Sequence, residues 1–359
     1  MKIAVFHNYM DNIGGAEIVG LTLARELNAD FYTTNIDKEK IKKMGFSDIN
    51  LKSIGRVPLN APFRQQAALW RFKKLNLKSR YDFFIIGGDW AMSGAVHNKP
   101  NLWYVHSPIR EIWDLYEYIK QNLVRPSRRW LFDAWVCYNR YLNKKYVQHV
   151  NKIVCNSENT RQRVKKYLQR EALVINPPIE TASYYYKTAG DYWLSVNRLF
   201  YHKRIEMQMR AFAKMPDEKL IIVGSYEKSN HFQAYAEYCK KIRPENVEIL
   251  SWVDRAKLIE LYANCKGFIT TSQDEDFGMT PVEAMASGKP VIAPNEGGYK
   301  ETVIDGVTGR LIDNISIDRL VEVIKETGKN LKSYQNVCLE QAKKFDTKVF
   351  VGKIKEQLQ

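Results

Sequence analysis

The stretch Asp274-Glu275-Asp276-Phe277-Gly278-Met279-Thr280-Pro281-Val282-Glu283-Ala284-Met285-Ala286-Ser287-Gly288 comes just after an apolar run, Phe268–Ser272, that reads as a β-strand. Pro281 suits the first turn of a helix, where a missing N–H costs nothing, and Gly288 suits the C-terminal cap. The segment is therefore strand, loop and helix, with the helix opening at the strand's carboxyl end. There Gly278, Met279 and Thr280 would present free N–H groups to an anion. Glu283 falls in the first turns of the helix and Glu275 in the loop before it. Two carboxylates around a helix start can accept hydrogen bonds from vicinal hydroxyls, or can simply complement the helix dipole. Asp274 and Asp276 also form a D-x-D spacing of the kind that holds Mg²⁺ or Mn²⁺. That reading carries little weight here, because nearby cations can already neutralise a diphosphate.

The same alternation extends to both sides. Upstream in the same half, Trp193–Leu199, Lys219–Gly224 and Val247–Trp252 read as strands, and Gly267–Ser272 and Pro290–Pro294 complete the set. Between them Leu258, Leu261, Tyr262 and Cys265 recur at helical spacing. In the first half the strand candidates are Lys2–His7, Asp30–Thr34, Tyr81–Gly88, Leu102–His106 and Lys152–Ser157. Ala16, Val19, Leu23 and Leu27 mark a helix after Gly14-Gly15. Near-continuous apolar strands alternating with helices predict parallel sheets covered on both faces. The pattern breaks at Asn176-Pro177-Pro178 and resumes past Tyr186–Gly190, so two doubly wound α/β domains in series are expected. Residues 109–150 carry no strand signal and read as helix throughout, loaded with Trp113, Trp130, Phe132 and Trp135.

A chain of 359 residues, 45% apolar and 26% charged, has room for two cores, and this composition excludes wholesale disorder and low-complexity repeats. The opening Met1-Lys2-Ile3-Ala4-Val5-Phe6 is too short for a signal-peptide core and reads as a first strand. No apolar run is long enough to span a membrane. Five scattered cysteines form no CxxC pair, which argues against a zinc site and a disulfide framework and for a cytoplasmic, thiol-reduced chain. The net charge of +15 is segregated: residues 1–189 hold 30 Lys and Arg against 16 Asp and Glu, whereas residues 190–359 hold 25 against 24. One half thus faces something anionic, unless it is merely a solvated basic surface.

Gly14-Gly15 lets backbone approach an anion at a helix start, although such a pair is more often a tight turn. Arg198, in the strand end Ser195-Val196-Asn197-Arg198-Leu199, and Lys203, just inside the next helix, suit a diphosphate, Arg as a fork and Lys as a point charge. His106 closes a first-half strand in Tyr104-Val105-His106-Ser107-Pro108.

In this order the pieces resemble the family-4 glycosyltransferases of the two-Rossmann (GT-B) architecture. The motifs that carry the resemblance are Gly14-Gly15-Ala16-Glu17, Asn156-Ser157-Glu158, Pro177-Pro178-Ile179, Val196-Asn197-Arg198-Leu199 with Lys203, and Gly297-Gly298 with Glu301. Most specific is Glu275-x7-Glu283, followed by Gly288-Lys-Pro-Val-Ile-Ala293. His106-Ser107-Pro108-Ile109-Arg110 with Trp113-Asp114-Leu115-Tyr116 resembles the mannosyltransferase branch of O-antigen assembly.

The resemblance implies two Rossmann-like domains facing across a cleft: residues 1–178, with 341–359 returning to them, and residues 179–340. It further implies a retaining transfer of a hexose, mannose from GDP-mannose being the best match, to a glycan or lipid-linked acceptor in cell-surface polysaccharide assembly. His106, Arg198, Lys203 and Glu275 would be catalytic. Arg198 and Lys203 would hold the diphosphate beside Asn197, Phe277, Gly278, Met279 and Thr280, and Glu283 the ribose. Gly224-Ser225 and Trp252-Val253 would line the base pocket, and Gly14, Gly15 and His106 would close from the first domain. No metal or other cofactor is expected.

An anionic membrane surface is the expected partner of the basic half, at the inner face of the cell membrane. On an ideal helix over residues 61–78, Arg64, Arg71, Lys74 and Lys78 share one arc beside Ala68, Leu69, Phe72 and Leu75. Arg128, Arg129 and Trp130 open a second stretch, residues 120–152, with eight cations against Asp133 alone. An epimerase would need acid and base groups across the cleft, a phosphorylase a pyridoxal lysine, and a nucleic-acid binder a reading module. None is recognisable in the sequence.

Overall fold

Short apolar runs buried on both faces become the strands of two separate parallel sheets. The computed structural model describes residues 1–12, 14–224 and 230–358. In the first unit the strands are β1 (Ile3–Phe6), β2 (Asp30–Thr33), β3 (Leu51–Ser53), β4 (Phe83–Ile86), β5 (Asn101–Val105), β6 (Lys152–Cys155) and β7 (Leu173–Val174). Its helices are α1 (Gly15–Glu26), α2 (Lys38–Lys43), α3 (Phe63–Lys74), α4 (Tyr116–Asn122), α5 (Arg129–Val147) and α6 (Glu158–Leu168). The second unit has β8 (Tyr192–Val196), β9 (Lys219–Val223), β10 (Val247–Leu250), β11 (Phe268–Ile269), β12 (Val291–Pro294) and β13 (Gly309–Ile312). Around them lie α7 (Ile205–Ala213), α8 (Asn230–Ile242), α9 (Arg255–Asn264), α10 (Met279–Ala286), α11 (Tyr299–Thr302), α12 (Ile317–Gly328) and α13 (Gln335–Lys343). The last helix, α14 (Thr347–Glu356), leads out of the second unit.

The strand orders are β3-β2-β1-β4-β5-β6-β7 and β10-β9-β8-β11-β12-β13, every pairing parallel. Each order reverses once, between β1 and β4 and between β8 and β11. At such a switch point the connections leave to opposite sides and open a crevice beyond the strands' carboxyl ends. Phe6 anchors the first core, its ring 5.6–6.0 Å from those of Tyr32, Phe72 and Phe84. Burying a phenylalanine of this kind contributes roughly 1.5–3 kcal/mol.

Three strands lie outside the sequence expectation. β3, β7 and β13 are sheet edges whose residues are partly exposed, so they lack a continuous apolar run. Residues 109–150 are not one helix: turns precede α4, and Pro126 opens a short 3₁₀ turn before α5. The two compact units are Met1–Asn176 with Val351–Gln359, and Pro177–Phe350. Residues 341–350, expected in the first domain, therefore belong to the second. Phe345 explains the shift, because it is buried in that unit's core with its ring 5.4 Å from that of Phe277.

Candidate functional site

Three loops meet at the switch point of the second sheet. The loop after β8 carries Asn197, Arg198 and Lys203, and Asn197 is fixed by its amide to Val223 and its side chain to Ser195 Oγ at 2.7 Å. Lys203 does not lie inside the next helix, as the sequence suggested. It ends a short 3₁₀ turn, Tyr201–Lys203, and Arg204 follows in the left-handed region (φ +50°) before α7 begins. The tight turn brings Lys203 Nζ to 2.5 Å from Glu275 Oε2.

Glu275 belongs to the loop after β11. Burial opposes its ionisation, but the charge and hydrogen bond of Lys203 outweigh burial and hold the carboxyl well below the usual range. The Tyr299 hydroxyl donates to the same oxygen at 3.3 Å. From the loop after β12, the Gly298 amide donates to the Glu275 carbonyl at 2.8 Å. A Cβ on Gly297 would lie 2.5 Å from that carbonyl, and one on Gly298 2.4 Å from Phe277 Cα. The Gly297-Gly298 pair thus exists so that two loops can touch.

Gly278 caps α10 with φ +89°, a conformation that favours glycine, and a Cβ there would meet the Tyr299 ring at 2.9 Å. No side chain caps this helix, so the Met279 and Thr280 amides head it with the dipole behind them. Glu283 lies one turn further in and is half-buried. Burial pushes its carboxyl above the ordinary range, opposed by hydroxyls of Tyr262 and Tyr184 and by the charge of Arg255. Phe277, in contrast, is buried in the core.

At the ends of β9 and β10 the expected base-pocket residues divide. Gly224 is buried, and a Cβ there would lie 2.8 Å from Leu199, so its job is close packing. Ser225 lies outside the described residues. Trp252 is exposed and Val253 partly so, beyond the carboxyl end of β10. No group of three or more His, Cys, Asp or Glu side chains that could hold a metal is found among the described residues. Asp274 stands in the left-handed region (φ +48°).

Sequence reasoning missed Arg204 and Glu296. Arg204 ion-pairs with Glu296 and donates from Nε to the Thr271 carbonyl at 2.6 Å, tying all three loops together. Only their neighbours, Lys203 and Gly297-Gly298, hinted at them. The tyrosines 184, 262 and 299 were missed as polar groups too; Tyr262 stood out only as an apolar position on its helix.

In the first unit, Gly14 caps α1 and its amide donates to Glu17 Oε2 at 2.8 Å. The other oxygen of Glu17 lies 3.3 Å from His7 Nε2, so one carboxylate ties the glycine loop to the end of β1. Gly15 begins the helix itself. His106 follows β5, with its carbonyl held by Asn156 Nδ2 at 2.8 Å. Ser157 caps α6, which accounts for the Asn-Ser-Glu motif. Burial, with His7 nearby, lowers His106 to about 3.

Two of the four cations expected to form a basic arc on α3 have partners within the chain. Arg64 ion-pairs with Asp11 and stacks 4.0 Å over the Tyr9 ring, and Arg71 donates to the Ile54 and Arg56 carbonyls. Lys78 lies past the helix end, and Arg71, Lys74 and Lys78 are all exposed, while Ala68, Leu69 and Phe72 face the core. On α5 the picture differs: Arg128 and Trp130 are exposed, and Arg129 reaches the Gln121 carbonyl. Among the described residues no helix is long and apolar enough to cross a membrane.

Residues 186–345, most of the second unit, match the family described as "Glycosyl transferases group 1". Over 139 residues the chain is 36% identical to alpha-1,3/1,6-mannosyltransferase ALG2 of Dictyostelium discoideum, which covers 33% of this chain and 33% of that protein. It is 26% identical over 255 residues to ALG2 of Candida glabrata, covering 58% of this chain and 53% of the relative. The chain thus spans about a third to a half of these curated relatives. Among solved structures, Anabaena Alr3699/HepE in complex with UDP and glucose superposes with a TM-score of 0.79 at 19% identity, covering 100% of this chain and 99% of that one. The fold is that of the GT-B glycosyltransferases, with two Rossmann-like parallel sheets.

Proposed function

We propose that the chain is a retaining glycosyltransferase that moves a hexose from a nucleoside-diphosphate sugar to a glycan or lipid-linked acceptor in cell-surface polysaccharide assembly. The observation that carries this reading is the Lys203–Glu275 pair beside the uncapped start of α10, with Glu283 one turn inside, all at a switch point. Arg198, Lys203 and the Met279 and Thr280 amides would take the diphosphate, whose charge grows as it leaves. Glu283 would accept from the ribose hydroxyls and Glu275 from hydroxyls of the transferred sugar.

In the reaction the bond from the anomeric carbon to the diphosphate oxygen breaks. A bond from the same carbon to the acceptor oxygen forms on the same face, and the acceptor's proton passes to the departing phosphate. This front-face route asks for no carboxylate nucleophile, which fits a site whose two glutamates are committed to hydroxyls. The first unit would serve the acceptor, with Gly14 and Gly15 where the loop after β1 enters α1 and His106 in the loop after β5. Two cationic side chains and a helix start supply the charge that a divalent ion supplies elsewhere, so the reading is metal-independent.

Mannose from GDP-mannose is the proposed donor, supported by the mannosyltransferase relatives. A UDP-hexose is the competing donor, favoured by the UDP and glucose held by the Anabaena structure. Titration with GDP, UDP, GDP-mannose and UDP-glucose, followed by transfer assays with the donor that binds, tests both. Saturable binding of GDP-mannose is the expected result; preference for UDP-glucose overturns the mannose assignment, and binding of none overturns the transferase reading.

A further inference from the structure

Two phenols neighbour Glu283. The Tyr262 hydroxyl, on α9, donates to Glu283 Oε2 at 2.7 Å, and the Tyr184 hydroxyl, on the strap that precedes β8, lies near the same carboxylate and opposes the rise of its pKa. The two rings meet edge to face at 5.9 Å. Tyr262 is buried and Tyr184 half-buried, and burial raises both phenols well above 10, so each keeps its proton to donate at neutral pH. Arg255, in the first turn of α9, is pinned by an ion pair to Glu180 and adds a positive charge to this neighbourhood.

A glutamate side chain has three rotatable bonds, and its reach toward a ligand depends on which rotamer is populated. A phenol donor on this half-buried carboxylate, with a second phenol packed against the first, fixes that rotamer and leaves the remaining lone pairs as acceptors. We propose that Tyr262 and Tyr184 are positioning residues that aim Glu283 at the vicinal hydroxyls of the nucleotide ribose, and so set the enzyme's preference for ribose over deoxyribose. The inference rests on the reading of Glu283 as the ribose ligand. It adds two residues from outside the loops that carry the charged groups.

The clamp also explains why the carboxylate can sit half-buried beside a helix start and still remain useful. Without the phenols, burial would favour its neutral form, and a protonated acid accepts from hydroxyls less well. The phenols oppose that effect of burial, and the charged form they favour accepts the stronger hydrogen bonds from a diol.

The test is calorimetric titration of wild type, Tyr262→Phe, Tyr184→Phe, Glu283→Ala and the double variant Tyr262→Phe/Glu283→Ala. The probes are GDP and UDP and their 2′,3′-dideoxy counterparts. Wild type should favour the ribose form, and Glu283→Ala should lose that preference. Each tyrosine variant should lose three- to tenfold in affinity for the ribose form with no change for the dideoxy form, and Tyr262→Phe should add nothing in the Glu283→Ala background. If Glu283→Ala loses the preference but both tyrosine variants keep it, the positioning role is wrong and the ribose reading stands. Equal losses for both sugar forms in the tyrosine variants also overturn it, since that marks a packing defect. If Glu283→Ala keeps the full preference, the ribose reading itself falls.

Discussion

Lys203 Nζ lies 2.5 Å from Glu275 Oε2, joining the loop after the first strand of the second sheet to the loop after its fourth. The depressed carboxyl makes this contact a pH-dependent one. A group whose folded pKa is lowered adds stability that is fully present above its unfolded pKa and lost as pH falls through the folded value. Wild type should therefore lose melting temperature between about pH 5 and pH 2 more steeply than Glu275→Gln. In Lys203→Ala the carboxyl returns upward, so its acid-side loss shrinks or disappears and the variant's curve is flatter than that of wild type. Melting curves taken across that range check the order; identical slopes in wild type and Glu275→Gln would show that the pair contributes nothing.

The charged residues of the donor site should separate by kinetics. Glu283→Ala should weaken nucleotide binding by ~1.5–3 kcal/mol, the range for hydrogen bonds to a charged group. Arg198→Ala and Lys203→Ala act on charge that develops in the transition state and should lower kcat by roughly a hundredfold. Unchanged donor affinity in Glu283→Ala together with unchanged kcat in the two cation variants would remove the site assignment. Transfer should also survive EDTA; loss with rescue by Mn²⁺ would return Asp274 and Asp276 to the metal reading.

How much of this was legible depends on where the information lies. The strands flanking both switch points, β1, β4, β8 and β11, announce themselves because burial on both faces demands uninterrupted apolar residues. Edge strands such as β7, only Leu173–Val174, lose that signal because one side meets water. Glu275 and Glu283 stand out through local spacing around a helix start. Arg204 with Glu296, and Tyr184 with Glu283, are 92 and 99 positions apart, and no local pattern reports such partners. For the same reason Arg64 and Arg71 looked like a free basic arc: an ideal helix shows which residues share a face but not that Asp11 and the Ile54 carbonyl wait for them.

His106 should be neutral throughout the physiological range, since burial lowers it from an ordinary 6.5 to about 3. The unfolded chain protonates this imidazole as pH drops below 6.5 while the folded chain resists, so stability falls between those two values. His106→Asn should flatten that part of the stability curve. The activity of wild type should show no limb from His106 between about pH 5 and 8. An imidazole titration near 6.5 by proton NMR, assigned with the variant, would contradict the burial argument.

The last prediction concerns the membrane. On α5, Trp130, Ala134, Tyr138, Tyr141 and Lys145 recur at helical spacing and are all exposed, whereas Val136, Asn139, Leu142, Asn143, Tyr146 and Val147 turn inward. Trp130 is 67% exposed, Leu131 50% and Tyr141 60%, an aromatic face flanked by the exposed cations Arg128, Lys144 and Lys145. Tryptophan and tyrosine favour the headgroup region, and each basic residue near an anionic leaflet adds on the order of 1 kcal/mol. The α5 face, rather than α3, should therefore dock on anionic lipid, so the charge reversals belong there. Wild type should co-sediment with vesicles containing phosphatidylglycerol and not with phosphatidylcholine alone. Arg128→Glu/Arg129→Glu and Lys144→Glu/Lys145→Glu should each lower the bound fraction, and Trp130→Ala should lower it at fixed lipid charge. The bound fraction should also drop as salt rises, because charges at a surface are screened within about 8 Å at physiological ionic strength. Binding that ignores lipid charge, or that persists in both double reversals, leaves the aromatic face without a membrane role and points to a soluble acceptor.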